Sequence, residues 1–538
     1  MNHPNSKPAE AAGIRRLISS PTMVAALACV LLGSVDLTVV ASILPDMIGD
    51  LGVNTADIDR YIWAVNAYLI AYIIAIPLAG RISDIVGRQP TFIGSLLIFL
   101  AGSIYCATSD TLADLIIGRA IQGFGGGGLL PVALALAGDT LGRKGQLIGI
   151  GFVSAVETIG WILGPIYGAT VTGLFQFSAE PWRWVFWINV PILAVLIVVL
   201  RGRARTAPPA ARGGVTQLDL PGAVLLTVAL TTVNLALASG GEFGVGTGTG
   251  LRAMGGTENP LAAWVPLLLA AAVVTTILLI VWELRSRFPL LPIALYRRRA
   301  FLATIAANLC IGAVLMVSMV NVPVVVALTE DPDQVSTISA VMLAPFTVAI
   351  AAASLVAGNL AARFGSRRTL TAGIVSAAIG CLLIALLLAN DSVWSMIPGL
   401  VIAGLGLGLV LPALGTLPIQ LAGISERGAA ASSALMFRLL GMTIGVSVLT
   451  ALGVRRLQTL TGRLDPIVRD ADESTASFLV RQRDYIVDVA IPLSLQVIQE
   501  TFLAAALIAL VAVIPVSRLA RHLGEDRAGD TEQVTIRN

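Results

Sequence analysis

The stretch Gly151-Phe-Val-Ser-Ala-Val-Glu157-Thr-Ile-Gly160-Trp-Ile-Leu-Gly164-Pro165-Ile-Tyr-Gly168 decides the architecture. It is apolar enough to lie in a bilayer, yet it carries one acid, Glu157. Gly160, Gly164 and Gly168 recur every fourth residue and so share one helical face, where the missing side chains admit a close second helix. Pro165 has no amide hydrogen to donate, and it predicts a bend in the same helix. A step of 281 residues carries Gly160 onto Gly441, Gly164 onto Gly445 and Glu157 onto Arg438. A glycine-faced helix with a buried acid thus has a counterpart bearing a base at the same height.

The same step relates a second stretch. Gly123-Phe-Gly125-Gly-Gly127-Gly128-Leu-Leu-Pro131 lands on Gly404-Leu-Gly406-Leu-Gly408-Leu-Val-Leu-Pro412. A step of 278 relates Gly80-x-x-x-Asp84-x-x-Gly87 to Gly358-x-x-x-Ala362-x-x-Gly365, with loss of the acid. Two six-span halves related by duplication are the architecture of an alternating-access carrier. Gly123-x-Gly125-x-x-Gly128 also satisfies the dinucleotide fingerprint, but it lies inside an apolar run with no strand before it and predicts helix packing instead.

Composition sets the class. Of 538 residues, 56% are hydrophobic and only 12% charged, and the mean hydropathy is +0.87. A soluble protein of this size cannot hide so much apolar surface, so the chain reads as an all-α polytopic membrane protein. No basic tract with interleaved aromatics occurs, which argues against nucleic acid as a partner. Cys29, Cys106, Cys310 and Cys381 all fall in apolar runs and read as small hydrophobes, not disulfides or metal ligands. The two histidines, His3 and His522, lie in polar tails, so no histidine metal site or catalytic dyad fits within the membrane. Any proton carrier there must be a carboxylate. No cofactor is expected, and the lack of a Gly-x-x-x-x-Gly-Lys-Ser/Thr loop argues against coupling to ATP.

Apolar runs recur near 21–44, 61–80, 91–108, 112–135, 146–172 and 184–203, then near 221–239 and 263–283, then near 300–326, 336–360, 369–389, 394–416, 428–453 and 501–518. The expected organisation is a tail at 1–20, a six-helix bundle at 21–203, a linker with two extra spans at 204–299, a second six-helix bundle at 300–518, and a tail at 519–538. Arginines set the orientation. Arg81, Arg88, Arg143, the 201–212 group, Arg285 to Arg299, Arg363, Arg367 and Arg368 fall on one side if the N-terminus is cytoplasmic, and the opposite short loops are poor in base. Both termini are therefore expected inside, with the protein in the inner (plasma) membrane. The segment 455–499 is assigned outside although it holds six arginines, because its acids balance them and long segments cross regardless of charge. Apolar residues at 457, 460 and 464 and at 478, 479, 486 and 489 predict amphipathic helical extensions of the last two spans, punctuated by Pro466 and Pro492; a solvated loop is the alternative.

A charge at mid-bilayer costs about 2.5–3.5 kcal/mol on insertion scales, so it normally faces the bundle interior. Asp36, Arg119, Glu157 and Arg438 are the deep candidates. Asp36 is the first choice for the proton carrier, since alternating exposure can switch its protonation; a hydrogen-bonded anchor for a neighbouring helix is the other reading. Glu157 and Arg438 read as an ionic latch between the halves, closed in one state and parted in another, or as a static pair that registers two helices. Trp63, Tyr68, Trp161 and Tyr167 are candidates to line a cavity or to serve as packing residues.

Several stretches together resemble the major facilitator superfamily, in its fourteen-span drug:proton antiporter branch. Gly80-Arg-Ile-Ser-Asp84-Ile-Val-Gly87-Arg88 is similar to the loop motif between spans two and three, Arg119-Ala-Ile-Gln122-Gly123 to the fourth-span motif, and Gly160-x-x-x-Gly164-Pro165-x-x-Gly168 to the antiporter motif of span five. Asp36-Leu-Thr38-Val-Val-x-x-x-x-Pro45 resembles the first-span signature of this branch, and Trp182-Arg-Trp-x-Phe-Trp-Ile-Asn189-x-Pro191 its entry to span six. Ile85 and Gln89 stand where the loop motif usually has basic residues, Ala41 where the first-span signature is usually followed by asparagine, and Ala169 ends the antiporter motif. The resemblance implies the major facilitator fold with two inserted helices, a proton-coupling role for Arg119, and a cytoplasmic gate at Gly80, Asp84, Gly87 and Arg88. Trp63 to Arg81 and Gly118 to Pro131 look similar to mycobacterial lipid exporters of the same branch, which also elongate their last two helices.

The expected activity is proton-coupled export of hydrophobic or amphipathic compounds. Multidrug-type efflux and extraction of lipid toward the outer face stand side by side. The partners are then lipophilic small molecules or lipids, protons and membrane lipids, with a periplasmic lipid-binding partner implied by the lipid version. A membrane enzyme would need a nucleophile or base cluster near an interface, and none is visible in the sequence. A non-transporting scaffold or receptor is the remaining alternative.

Overall fold

The computed structural model describes residues 21–51, 62–201, 219–240, 264–287, 289–291, 293–330, 335–388, 392–423, 426–461 and 474–535. Among these the regular structure is helical. The first bundle comprises α1 (Pro21–Asp50), α2 (Ile62–Ile85), α3 (Arg88–Ala107), α4 (Leu112–Gly127), α5 (Leu129–Leu174) and α6 (Arg183–Arg201). The inserted pair is α7 (Leu220–Gly240) and α8 (Val265–Arg285), followed by the short α9 (Ile293–Tyr296). The second bundle comprises α10 (Arg299–Thr329), α11 (Val335–Phe364), α12 (Ser366–Leu387), α13 (Ile397–Leu421), α14 (Arg427–Thr461), α15 (Thr475–Tyr485) and α16 (Ile491–Thr535).

Twelve helices among the described residues are long and apolar enough to cross a membrane. A bent pair, Phe152–Trp161 and Ile166–Leu174, passes the same test of length and composition together, with a 50° break, and Leu220–Ala236 is a shorter apolar helix. Twelve or thirteen spans by length and composition are compatible with the fourteen expected from the sequence. The break falls where Pro165 removes a hydrogen bond from the ladder. The freed acceptor, the Trp161 carbonyl four residues earlier, receives the Thr38 hydroxyl of α1 at 3.2 Å.

Small residues set how closely the helices pack. A side chain at Gly123 would strike the Tyr68 backbone of α2, one at Gly125 would strike Phe99 of α3, and one at Gly127 would strike Tyr72. In the second half Gly404 meets Phe346 of α11, Gly406 meets Ala377 of α12, and Gly408 meets Ile350. Each glycine ladder therefore wedges its helix between the two preceding ones, twice in the same way. The antiporter-motif glycines behave alike. Gly160 and Gly164 lie against Ser34, Val35 and Thr38 of α1, while Gly441 and Gly445 lie against Leu309 and Ala313 of α10.

The inserted helices stand at the edge. Only 11% of the apolar window of α8 is buried, so most of this helix is left to face lipid. Its partner α7 packs on it and touches α2 and α14. Helix α14 continues to Thr461, eight residues past the apolar run that ends near 453, about 12 Å at helical rise. The expected second extension is also helical: α15 leads through a π-helical turn at Ile486–Ala490 into α16, with Pro492 tolerated in its first turn. Arg456 and Glu500 tie the two extensions together at 3.1 Å. Leu464 and Pro466 lie outside the described residues, as do the tail 1–20 and the loop 241–262. Helix α16 runs on to Thr535, through the segment read from the sequence as a tail.

Candidate functional site

Three helices bring a charged core together inside the first bundle. Asp36 of α1 is 2% exposed and Arg119 of α4 is fully buried. Arg119 Nη1 donates to Asp36 Oδ2 at 2.7 Å, and Gln122 Nε2 donates to Asp36 Oδ1 at 2.9 Å. Arg119 and Gln122 are three residues apart, hence on one face of α4. Asn189 Nδ2, from α6, adds a longer bond to Oδ1 at 3.3 Å. The guanidinium is itself held on several sides. Nη1 donates to Gln122 Oε1 at 2.6 Å, Nε to the Ala64 carbonyl at 3.4 Å, and Nη2 to the Asp36 carbonyl at 3.4 Å. The Tyr68 ring lies 4.0 Å from its Cζ. Ser103 accepts the Gln122 amide at 2.9 Å, which fixes the orientation of that side chain. A buried pair repays its desolvation only when the remaining polar atoms are also satisfied, and this one is nearly so.

Sequence reasoning selected Asp36 and Arg119 separately and did not join them. It also passed over Gln122, Asn189, Ser103 and Tyr68 as members of the same cluster. Two signals existed: Gln122 follows Arg119 at a facing interval, and Asn189 is a polar residue within the apolar run that follows Arg183 in α6.

Glu157 of α5 and Arg438 of α14 meet across the seam between the halves. Arg438 Nη2 reaches Glu157 Oε1 at 3.1 Å and Oε2 at 3.3 Å, and each residue is 5% exposed. The bonds use one nitrogen only. Arg438 Nε is buried with no hydrogen-bond partner among the described residues. The close fit of α14 on α10 holds this arginine in place, since a side chain on Gly312 would strike the Arg438 carbonyl.

A second contact between halves lies at the arginine-rich end of the bundle. Asp84, at the end of α2, accepts the backbone N–H groups of Gly428 at 3.0 Å and Ala429 at 2.9 Å. These belong to the first turn of α14, whose amides have no intrahelical acceptor and whose dipole favours an anion. Arg88 closes the group from the other side, donating to Asp84 Oδ1 at 2.5 Å and to Ser83 Oγ at 2.7 Å. Gly80 permits the approach, because a side chain there would meet Ser432 and the Gly428 carbonyl. Gly87 adopts φ 110°, a conformation open to glycine, and reverses the chain between α2 and α3. Of the two departures from the loop motif, Ile85 is buried, and Gln89 donates its amide to the Leu200 carbonyl at the end of α6. Gly164 is buried against α1, and Gly168 is buried one turn further along α5.

Comparison with known proteins yields one family and a consistent set of relatives. Residues 26–446 match the model of the Major Facilitator Superfamily. A triacylglyceride transporter of Mycolicibacterium smegmatis is 34% identical over 461 residues, covering 81% of this chain and 76% of that protein. A triacylglyceride transporter of Mycobacterium tuberculosis is 32% identical over 475 residues, covering 85% and 86%. Among solved structures, the human organic anion transporter MFSD10 superposes with a TM-score of 0.58 at 15% identity, covering 91% of this chain and 99% of that one. The proton:xylose symporter XylE superposes with a TM-score of 0.55 at 14% identity, covering 93% and 95%. The last two share the fold.

Proposed function

The chain belongs to the Major Facilitator Superfamily and is a membrane transporter, not an enzyme; from that premise we propose that it exports a neutral glycerolipid in exchange for protons. The observation that carries proton coupling is the bond from Arg119 to Asp36 inside a shell of neutral donors. Protonation of Asp36 cancels its attraction for Arg119. The guanidinium then keeps Gln122, the Ala64 carbonyl and the Tyr68 ring, so it is never left bare. The carboxyl is thereby released from α4 while α4 remains packed. That is the local event a carrier needs to link proton uptake to a shift of α1 against its neighbours.

Two contacts between halves give this event something to act on. Asp84 holds the first turn of α14, and Glu157 holds Arg438 in the middle of the same helix. Both must part for the arginine-rich side to open. The lipid reading rests on the relatives' cargo together with the two long helices, α14 and α16, joined by Arg456 and Glu500 beyond the apolar span. An elongated outer pair of helices provides a path along which a lipid can leave the membrane plane. Amphipathic drugs as cargo are the competing version, and the same experiment separates the two.

Purified protein in proteoliposomes with an imposed pH gradient would be offered a fluorescent triacylglycerol and a cationic dye. Gradient-driven movement of the lipid, lost in Asp36→Asn, is the expected result. Movement of the dye alone would replace lipid by drug as cargo. Lipid movement indifferent to the gradient, or to the substitution, would remove Asp36 from the mechanism.

A further inference from the structure

We propose that a groove between α12 and α16, on the outside of the second bundle, binds an anionic phospholipid of the membrane leaflet. The groove has a volume of about 480 Å³ and is lined by Arg367, Arg368, Thr371, Ala372, Val375, Val513 and Ser517. Two guanidiniums thus stand at the rim and an aliphatic wall runs below them. Arg367 and Arg368 are both exposed, and neither makes an ion pair with a described residue.

The internal duplication shows how this turn differs from its counterpart in the first half. In the first half the turn after α2 places Arg88 against Asp84. The equivalent turn after α11 keeps the same shape, with Gly365 at φ 88° where the first half has Gly87 at φ 110°. The acid, however, is replaced by Ala362. The second turn has Ser366 at the position of Arg88 and carries its cations one and two residues later, at Arg367 and Arg368, with no acid at 362 to meet them. Arg363, one turn back, rests instead over the Phe364 ring at 5.3 Å. Arg367 and Arg368 occupy the first turn of α12, whose N–H groups lack helical acceptors, and no side chain caps that end. Cations, free amides and the positive end of a helix dipole converge on one place, which suits a phosphodiester.

The apolar side of the groove selects a lipid over a free anion. Below Val375 the outer face of α12 continues with exposed Ile379, Leu382 and Leu386, and the facing edge of α16 exposes Leu510 and Leu507. These are lipid-facing side chains in line with the headgroup site, so acyl chains can extend along them. Basic pockets between spanning helices near an anionic leaflet are a known physical basis for headgroup binding. The groove lies away from the Asp36 and Glu157 clusters, so its lipid is a bound companion of the second bundle and not the exported cargo.

The full-length protein in detergent would be titrated with phosphatidylglycerol or phosphatidylcholine of identical acyl chains, with adducts counted by native mass spectrometry. Phosphatidylglycerol is expected to bind in preference. The double variant Arg367→Gln/Arg368→Gln should weaken it by about twenty-five-fold, taking each cation near the surface as roughly a fivefold gain. Arg363→Gln should leave binding unchanged, and Ala372→Trp should block it without altering charge. Equal binding of the two lipids, or an undiminished preference in the double variant, would overturn the proposal. Displacement of phosphatidylglycerol by excess inorganic phosphate would overturn it too, by showing a plain anion site. Thermal unfolding of each variant separates lost binding from lost fold.

Discussion

At the residue scale, the pairing of Asp36 with Arg119 makes two substitutions of one side chain diverge. Asp36→Asn keeps the shape and one acceptor oxygen, enough for Arg119, but turns an amide NH2 toward the Gln122 and Asn189 donors and removes the exchangeable charge. It is expected to reach the membrane, lose gradient-driven transport and lower the thermal midpoint less than a truncation does. Asp36→Ala strands a fully buried guanidinium. Breaking a buried pair in this way costs about 3–5 kcal/mol, so a clear drop in the melting midpoint of purified protein should accompany the loss of transport. Equal stability of the two variants would show that Arg119 finds other partners at no cost. A gentler effect is expected at Thr38, whose hydroxyl donates to the carbonyl that Pro165 leaves free. Hydrogen bonds between membrane helices average about 0.6 kcal/mol, so Thr38→Val should lower stability by roughly that amount in denaturant titration.

At the scale of the element, glycine serves two ends that sequence spacing alone does not separate. Gly123 and Gly404 sit against backbone of α2 and α11, whereas Gly94 has nothing within 4 Å of the position a side chain would take. Gly94→Ala is therefore expected to be neutral or to stabilise α3 by about 0.5–1 kcal/mol, the usual gain from alanine within a helix. Gly123→Ala or Gly404→Ala must push two helices apart, and overpacking of this kind costs about 1–3 kcal/mol. Thermal unfolding of the three variants tests the contrast. A stabilised Gly123→Ala would mean that α2 and α4 separate freely. The two glycine ladders should also give similar losses, because each wedges its helix in the same way.

At the scale of the whole molecule, function depends on contacts between halves. Glu157→Gln and Arg438→Gln should each impair transport, and the exchange Glu157→Arg with Arg438→Glu should recover part of it. Such recovery is the sign of a pairwise coupling that two independent lesions would not show. Asp84→Asn should loosen the contact with the first turn of α14, where charge-assisted bonds to Gly428 and Ala429 are lost. Ser432→Cys lies beside Gly80 in this closure. Its labelling by a membrane-impermeant maleimide should accelerate about tenfold when Asp84→Asn is added, equivalent to about 1.4 kcal/mol of bias toward the open state. An unchanged rate would show that the Glu157–Arg438 pair alone holds the seam.

Much of this organisation was legible in one dimension because the bilayer imposes it. Hydrophobic runs of span length, arginines concentrated on one side, and glycines repeated at 281 residues are linear properties, and they determined the helices, the duplicated halves and the deep charges. The contact of Glu157 with Arg438 was foreseeable for the same reason, since duplication sets both residues at one height. Tertiary structure decided the rest. The joining of Asp36 to Arg119, and the recruitment of Gln122 and Asn189 around them, depend on the rotation of α1, α4 and α6 about their axes, which close packing sets and hydropathy does not report. Likewise, Arg88 is paired, and Arg367 makes no ion pair with a described residue, because helix ends meet in space at the first turn and an open groove lies beside the second. A linear pattern states how deep a residue lies; only the packing of neighbouring helices determines what it touches there.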